Sequence, residues 1–260
     1  MPFRTFNTDD IASHLNLTGA DIDRLVKARD IPFEKCGGRV VFRQTDIDAW
    51  ASQRILKFSS SRLTEYHWKS SQRIRNLLQC GALLPELIRP DYIGPAMTAK
   101  TKASVVRALA ALADRTGLVC DAAELGASLL AREKLCSTAM PGGVAFLHPR
   151  SQQPDLFQSS FLVLGRTVQP IHFGSPDSQP TGLFFLLCCQ NDILHLHTLA
   201  RLCLMAQKTG LLAQLRAGTD ASTLHECLLS AEQTVIETLG GAPGQRPIRR
   251  PATQRAAARP

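Results

Sequence analysis

The first part of the chain changes its hydrophobic period twice before residue 50. Apolar side chains recur at helical spacing through residues 11–15 and again through residues 22–26, with threonines placed to cap both helices. The period becomes two around Gly37 and Gly38, which favours a tight hairpin, and helical spacing returns after residue 45. Two short helices, a hairpin and a closing helix predict a small winged helix-turn-helix domain in residues 1–56.

The longer remainder of the chain alternates between amphipathic helices and short apolar strands. The predicted helices span residues 102–115, 121–134, 192–204 and 221–238, and the predicted strands span 144–147, 161–165 and 183–188. Such alternation is typical of an α/β sandwich, in which a mixed sheet is flanked by helices. We therefore expect residues 77–240 to form one α/β domain.

Positive charge is concentrated in two segments outside these domains. The chain carries a formal charge of +8. Residues 57–76 hold five basic side chains and one acidic one, and residues 241–260 hold five arginines and no acidic side chain. The first segment is predicted to be a basic connector. The second is rich in Pro, Gly and Ala and is predicted to be a disordered basic tail.

Cysteine spacing and hydropathy favour a cytoplasmic protein. The eight cysteines show no CxxC spacing, which is typical of reduced thiols rather than of a disulfide framework. No apolar run is long enough for a spanning helix, so we expect no membrane insertion. Asp9 and Asp10 come too early in the chain for the apolar core of a secretory signal.

Two of the seven histidines lie where phosphate chemistry could use them. His148 ends the predicted strand 144–147 and precedes Pro149, which places it at the rim of the sheet. His195 lies in the first turn of the helix that Asp192 opens, where unpaired backbone N–H groups and the helix dipole stabilise an anion. Covalent catalysis through histidine needs a nucleophile, an orienting partner and fixed positive charge. This arrangement makes His148 a candidate phosphoryl acceptor and His195 its helper.

Plainer interpretations exist for the histidines and the cysteines. A histidine at a strand end is most often a surface residue, and His197 is interpreted as structural or solvated. The other histidines have no partner pattern and are expected at the surface: His14, His67, His172 and His225. A zinc site would have to combine Cys188, Cys189, His195 and His197, but adjacent cysteines cannot easily bind one ion. We therefore predict no metal and no cofactor.

The order of several short motifs resembles that of enzyme IIA of the bacterial phosphotransferase system, in the branch serving fructose, mannitol and nitrogen regulation. The resemblance covers about residues 78–239. The motifs are, in order, Leu84-Pro85-Glu86-Leu87-Ile88, residues 105–117, Leu130-Ala131-Arg132-Glu133-Lys134-Leu135, Gly143-Val144-Ala145 leading to His148-Pro149-Arg150, Leu162-Val163-Leu164-Gly165-Arg166, and His195-Leu196 with Leu199-Ala200-Arg201-Leu202. Each motif is weak by itself, whereas their order and spacing together are specific.

The resemblance implies roles for three residues. In that family the histidine that ends the Gly-Val-Ala strand accepts phosphate from a small histidine-phosphorylated carrier protein, and His148 occupies this position. His195 matches the assisting histidine, and Arg132 matches the arginine near the phosphate, whose guanidinium fits phosphoryl oxygens. Two departures from the family pattern, at residues 139–143 and at Leu147, are expected to alter the loop beside the phosphate.

Residues 5–52 resemble the excisionase-type helix-turn-helix, which is similar to the first part of regulators of the mercury-resistance kind. The resemblance lies in Asp10-Ile11-Ala12, Leu15-Asn16-Leu17, residues 22–26, Ile31-Pro32, residues 37–43, Asp46-Ile47 and Ala49-Trp50. Such modules place their second helix in the DNA major groove and their wing against the backbone. The implied DNA contacts are Arg24, Lys27, Arg29, Arg39 and Arg43. Because residues 1–56 are neutral overall, the basic connector and tail would have to supply charge, and a role in protein contact or dimerisation is the alternative.

Together these features predict a phosphohistidine regulatory protein that couples phosphate on His148 to DNA binding. A phosphocarrier that passes phosphate to a sugar transporter subunit is one alternative. A phosphorylation-controlled protein-interaction module without DNA binding is another. The expected partners are a histidine-phosphorylated phosphocarrier protein and, depending on the alternative, DNA, a sugar transporter subunit or a regulated protein. Whether the chain acts as an enzyme stays open, because a phosphocarrier component is transferase-like only through its phosphohistidine intermediate.

Overall fold

The computed structural model describes residues 5–15, 17–74, 82–149 and 156–239. The predicted tail at 241–260 and the end of the predicted connector, residues 75 and 76, lie outside these ranges. Within the described ranges, no helix is both long and apolar enough to cross a membrane.

The N-terminal module, as residues 5–74 are called below, combines a small antiparallel sheet with short helices. Its elements are β1 (Thr5–Phe6), α1 (Thr8–Leu15), α2 (Gly19–Lys27), β2 (Glu34–Cys36), β3 (Arg39–Arg43), α3 (Gln44–Leu56) and α4 (Ser60–Ile74), and its strand order is β1-β3-β2. Thr18 and Asp21 form a capping box that begins α2. Gly37 and Gly38 have φ of +57° and +79°, which the tight β2–β3 turn requires. The predicted helices and hairpin are therefore present, whereas a DNA-binding winged helix-turn-helix stays a prediction.

Residues 82–239 form an α/β sandwich on a five-stranded mixed sheet. Its elements are α5 (Leu84–Leu87), a 3-10 turn (Pro90–Tyr92), β4 (Ile93–Met97), α6 (Lys102–Asp114), α7 (Ala122–Leu135), β5 (Ala139–Met140), β6 (Val144–Leu147), β7 (Phe161–Ile171), β8 (Thr181–Cys188), α8 (Asp192–Lys208), α9 (Leu211–Ala217) and α10 (Ala221–Leu239). The strand order is β4-β7-β8-β6-β5, with β4/β7 and β6/β8 parallel and the other pairs antiparallel. The predicted fold class of this domain is confirmed. The sequence did not predict β4, β5 or α9, and β7 is longer than the predicted strand.

Alternate residues of β6 point into two different cores. Ala145 and Leu147 belong to the core on the side of α6 and α7. Val144 and Phe146 belong to the core on the side of α8, and Ile47 of the N-terminal module is part of that same apolar cluster. The module and the sandwich thus share one continuous hydrophobic core.

Helix α4 occupies most of residues 57–76, which are predicted from the sequence to be a basic connector. The helix packs along α8, and the side chains on that face, Leu63, His67 and Ser70, are buried. These residues follow helical spacing, but two of the three are polar, so the hydrophobic pattern was too weak to reveal the helix. The basic side chains Arg62 and Lys69 lie on the exposed side. The positive charge of this segment therefore lies on the exposed face of a packed helix.

Candidate functional site

Three predicted site residues come together at one edge of the sheet. His148 directly follows β6, Arg132 lies in the last turn of α7, and His195 lies in the first turn of α8. Arg132 Nε donates a hydrogen bond to His148 Nε2 over 3.1 Å, and the two imidazole rings are 4.8 Å apart between centroids. Asn191 caps α8 by accepting from the Leu194 backbone, which fixes the turn that carries His195.

The hydrogen bonds of His148 define which ring nitrogen is nucleophilic. Its Nδ1 lies 3.1 Å from the carbonyl oxygen of Phe146, which can only accept, so Nδ1 carries the proton. Its Nε2 accepts from Arg132 and therefore holds the lone pair. Burial lowers the pKa of His148 well below its usual value, and His195 and Arg132 lower it further. The imidazole is therefore neutral near pH 7, as a phosphoryl acceptor requires.

His195 has the same electrostatic character and one free nitrogen. Burial, followed by the charge of Arg132, lowers its pKa to about 3. Its Nε2 lies 3.2 Å from Ser52 Oγ, whereas Nδ1 has no hydrogen-bond partner among the described residues. A neutral imidazole with one unused nitrogen can orient an additional polar group beside His148.

Arg132 is a buried cation without a counter-ion in the described part of the chain. It is 1% exposed, and its Nη1 donates to the Cys136 carbonyl while its Nη2 has no partner. No carboxylate forms an ion pair with it among the described residues; burial lowers its pKa, and the charge of the neighbouring Glu133 raises it in part. The other deeply buried arginine, Arg201, is paired with Glu232 at 2.8 Å. Since a buried charge is normally paired, Arg132 provides a ready site for an anion.

The N-terminal module covers this site. Helices α3 and α4 pack on α8, and Ser52 of α3 contacts His195 directly. Gln44 at the start of α3 contacts the carboxylate of Asp192 at the start of α8. In this arrangement His148 is only 3% exposed and His195 only 1%. The sequence contained no signal for this cover, because the contacts join residues more than a hundred positions apart.

A second buried polar network lies beneath α4 and was missed at the level of sequence. The rings of His67 and His197 stack with their centroids 4.9 Å apart, and Ser70 Oγ lies 2.6 Å from His197 Nδ1. Arg201 donates to His67 Nε2 and to Glu232. His67 was predicted at the surface, which is wrong, because it is buried against its partners Arg201 and His197 of α8. His197 is a buried structural residue, which is one of the two interpretations offered from the sequence.

The loop at residues 139–143 does not lie beside His148, which corrects the expectation from the sequence. Ala139 pairs with Ala145 in the β5–β6 hairpin, so the turn precedes β6 while His148 follows it. The length of β6 separates them by about 13 Å. Gly142 and Gly143 adopt φ of +91° and +71° in this turn, where glycine is favoured. The departure from the family pattern is a change of turn at the far end of the strand.

The five predicted DNA contacts are all exposed on the surface of the N-terminal module. Lys27, Arg29 and Arg39 are exposed. Arg24 pairs with Asp21 within α2, and Arg43 pairs with Glu34 across the hairpin at 2.7 Å. The structure thus leaves three of the five cations without an acidic partner in the described ion pairs, and DNA contact by any of them stays a prediction.

Comparisons with known proteins agree with this fold and site. Residues 86–231 match the family model described as phosphoenolpyruvate-dependent sugar phosphotransferase system, EIIA 2. A nitrogen regulatory protein from Bradyrhizobium diazoefficiens is 34% identical over 148 residues, which cover 56% of this chain and 94% of that protein. One from Escherichia coli K12 is 30% identical over 112 residues, covering 42% of this chain and 68% of that protein. The crystal structure of nitrogen regulatory protein IIA-Ntr from Neisseria meningitidis superposes with a TM-score of 0.52 at 26% identity, covering 56% of this chain and 99% of that chain.

A phosphotransferase domain of the IIA class is therefore what the sandwich and the similarities define. The chain belongs to the EIIA type 2 family of the phosphoenolpyruvate-dependent sugar phosphotransferase system, because the family model matches more than half of its length. This membership supports a phosphohistidine-based regulatory role. The matched region begins at residue 86, so it does not include the N-terminal module.

Proposed function

We propose that the protein is a phosphorylation-dependent regulator in which His148 accepts a phosphoryl group from a histidine-phosphorylated carrier protein. The observation that carries this proposal is the unpaired guanidinium of Arg132 against the nucleophilic nitrogen of His148. A buried cation with an unused N–H group costs stability unless an anion is present for at least part of the working cycle. A phosphoryl group on His148 Nε2 would be that anion.

The transfer step balances with the groups present. The lone pair of His148 Nε2 attacks phosphorus as the bond from phosphorus to the carrier histidine breaks, and the electron pair of that bond stays on the carrier ring. Positive charge then develops on the His148 ring, and the hydrogen bond from Nδ1 to the Phe146 carbonyl stabilises it. Arg132 moves its N–H contacts from the ring nitrogen to the phosphoryl oxygens, which it can bind in a bidentate way. His195 Nδ1 orients the same group.

The position of the N-terminal module supports coupling between this step and the module. A carrier must bring its phosphohistidine within about 3–3.5 Å of His148 Nε2, which a 3% exposed residue does not permit. A phosphoryl group also adds a charge of about −1.5 to −2 next to Ser52 and α3. We therefore expect the module to separate from α8 for transfer, and the phosphorylated site to favour the separated arrangement.

DNA binding by the released module is the finer part of the proposal. Its support is the exposure of α2 and the β2–β3 wing, together with the fact that α3 and α4 provide the contact with α8. The phosphorylation state would then change the module's freedom to dimerise or to approach DNA. The similarity of residues 5–52 to excisionase-type modules is an analogy of pattern alone.

Phosphoryl transfer is tested with phosphoenolpyruvate, the general phosphotransferase enzymes and isotopically labelled phosphate. We expect wild type to be labelled, His148→Ala to take up no label, and His195→Ala to be labelled more slowly. His172→Ala is the matched control, because His172 is exposed and far from the site in sequence, and it should behave as wild type. Equal labelling of wild type and His148→Ala would refute the assignment.

Coupling to DNA is tested by selecting genomic fragments with phosphorylated and unphosphorylated full-length protein at a fixed moderate salt concentration. We expect enrichment that depends on phosphorylation and that is lost in an Arg39→Ala/Lys27→Ala variant. Enrichment by residues 77–260 alone would contradict the role of the module. Onward transfer of label to a transporter subunit, without any enriched sequence, would instead support the phosphocarrier alternative.

A further inference from the structure

A cluster of three metal-binding side chains joins the N-terminal module to the start of α8. His14 comes from α1, Asp48 from α3 and Asp192 from the first turn of α8. One ligand atom from each lies within 4.8 Å of the others. His14 Nε2 and Asp48 Oδ1 are 2.9 Å apart. None of the three has a role in the phosphoryl transfer described above.

The two carboxylates of this cluster are buried without sufficient compensation. Asp48 is 6% exposed and Asp192 is 8% exposed. Neither forms an ion pair with a lysine or arginine in the described part of the chain, and the basic side chain that contacts Asp48 there is the imidazole of His14. Asp192 Oδ1 accepts no hydrogen bond in the same ranges, although Gln44 donates to Oδ2 and the carboxylate of Asp48 lies within hydrogen-bonding reach of that of Asp192. Buried polar atoms normally have a hydrogen-bond or ligand partner, so Asp192 Oδ1 is available to bind an additional group.

We propose that His14, Asp48 and Asp192 bind one divalent transition-metal ion, for which zinc is the probe, and that this ion clamps the N-terminal module onto α8. One imidazole nitrogen and two carboxylate oxygens are a donor set that suits zinc and manganese, whereas magnesium and calcium prefer oxygen alone. Ligand distances of about 2.0–2.2 Å place donor atoms about 3.4 Å apart in a tetrahedral site. The largest separation in the cluster, up to 4.8 Å, must therefore shorten by up to about 1.4 Å, and Gln44 or water would complete the coordination.

Charge balance at the two buried carboxylates favours a bound metal ion. A divalent cation neutralises both carboxylates and binds the imidazole nitrogen of His14, so Asp192 Oδ1 gains a partner. Without a cation, two adjacent buried carboxylates repel each other, and burial followed by Asp48 raises the pKa of Asp192 to about 6.

The clamp would act next to the phosphorylation site without taking part in its chemistry. Asp192 and His195 lie in the same first turn of α8, and Asp48 and Ser52 lie one turn apart on α3. An ion bound between α3 and α8 therefore holds the contact through which Ser52 of α3 reaches His195. The proposal goes beyond the proposed function, and its test requires neither a carrier nor phosphate.

Binding is tested by calorimetric titration of the metal-free full-length protein with zinc. The exposed thiols Cys36 and Cys120, together with Cys80, are replaced by serine in all samples so that thiolates do not compete. We expect one ion per chain, with affinity lowered by at least about 10- to 100-fold in Asp48→Asn and in His14→Gln, since losing even an outer partner of a ligand has that effect. Asp46→Asn is the matched control, because Asp46 is exposed on the same helix, and it should bind as wild type.

Two further measurements separate a clamp from other results. Zinc should slow amide hydrogen exchange in α1 and α3 of wild type and of Asp46→Asn, but not of Asp48→Asn, whose circular dichroism should show that it is folded. Absence of saturable binding, or equal binding by wild type and Asp48→Asn, would overturn the site. Equal affinity for magnesium would overturn the transition-metal assignment, and zinc binding without slower exchange would overturn the clamp.

Discussion

Replacing the two buried arginines by methionine should separate a functional charge from a structural one. Methionine is apolar and fits a long, unbranched space, so it removes the charge with little change of volume. Arg132 has no ion-pair partner among the described residues, whereas Arg201 binds Glu232, which is itself 1% exposed. The same substitution therefore leaves a neutral site in one case and an unpaired buried carboxylate in the other.

The expected change in the free energy of unfolding follows from these contacts. Arg132→Met loses hydrogen bonds to His148 and Cys136, worth about 1.5–3 kcal/mol each. It also removes the cost of burying an unpaired ion, which is several kcal/mol. The two effects offset each other, so stability should stay within about 1 kcal/mol of wild type. Arg201→Met breaks a buried pair and should lower stability by about 3–5 kcal/mol.

For phosphoryl transfer the order of the two variants should be reversed, with Arg132→Met impaired more than Arg201→Met. Loss of one fixed donor to a developing anion typically lowers a rate by about 10²–10³, so Arg132→Met should be labelled at His148 that much more slowly than wild type. Arg132→Lys should recover part of the rate, because it restores a point charge but not the bidentate geometry. Urea unfolding gives the stabilities and initial labelling rates give the transfer. A loss of stability of 3 kcal/mol or more in Arg132→Met, with unchanged labelling, would refute the functional role of this charge.

Three further outcomes are expected. Ser52→Leu overpacks the α3–α8 contact at a cost of about 1–3 kcal/mol, and separation of the N-terminal module from α8 relieves this cost. The carrier should therefore label this variant faster than wild type. A slower rate would contradict the idea that the module limits access to the site. The pKa values of His67 and His195 are lowered to about 3 in the folded state, so the unfolded chain binds more protons below pH 6.5. The free energy of unfolding should therefore fall as the pH drops, by about 1.4 kcal/mol per histidine at pH 5.5. Urea titrations of wild type and His195→Gln check this, the variant having the smaller pH dependence. Gly143→Ala places a methyl group 3.0 Å from the Pro180 carbonyl at φ +71° and should lower the melting temperature while leaving labelling of His148 unchanged.

The sequence predicted the sandwich well because its elements carry strong local signals. Strand 144–147 and the helix capped by Asp121 are long enough in pattern, and marked enough by their caps and turns, to be assigned without tertiary information. Their order along the chain then carried the family resemblance. The resemblance also grouped His148, His195 and Arg132 at one site, since each lies near the end of one of these elements, and their roles in phosphoryl transfer stay predictions.

What the sequence did not reveal depends on contacts between distant segments. His14 and His67 read as surface residues, because neither carries the local signal of a partner, and their partners Asp48 and Arg201 lie on other helices. The cover over His148 had no signal for the same reason. Edge strands such as β4 are short and contain Gly94 and Pro95, which weakens any strand pattern.

The helical structure of α4 limits how the number of residues between α3 and the sandwich can vary. A flexible tether sets only the local concentration of a module and tolerates insertions with little penalty. A helix that packs along α8 also sets direction, because each added residue turns everything beyond it by about 100°. One extra residue in the middle of α4 would rotate Ser70 away from His197 and detach one end of the module from the sandwich. Related chains that keep this arrangement should therefore vary in the sequence of residues 60–74 but not in their number.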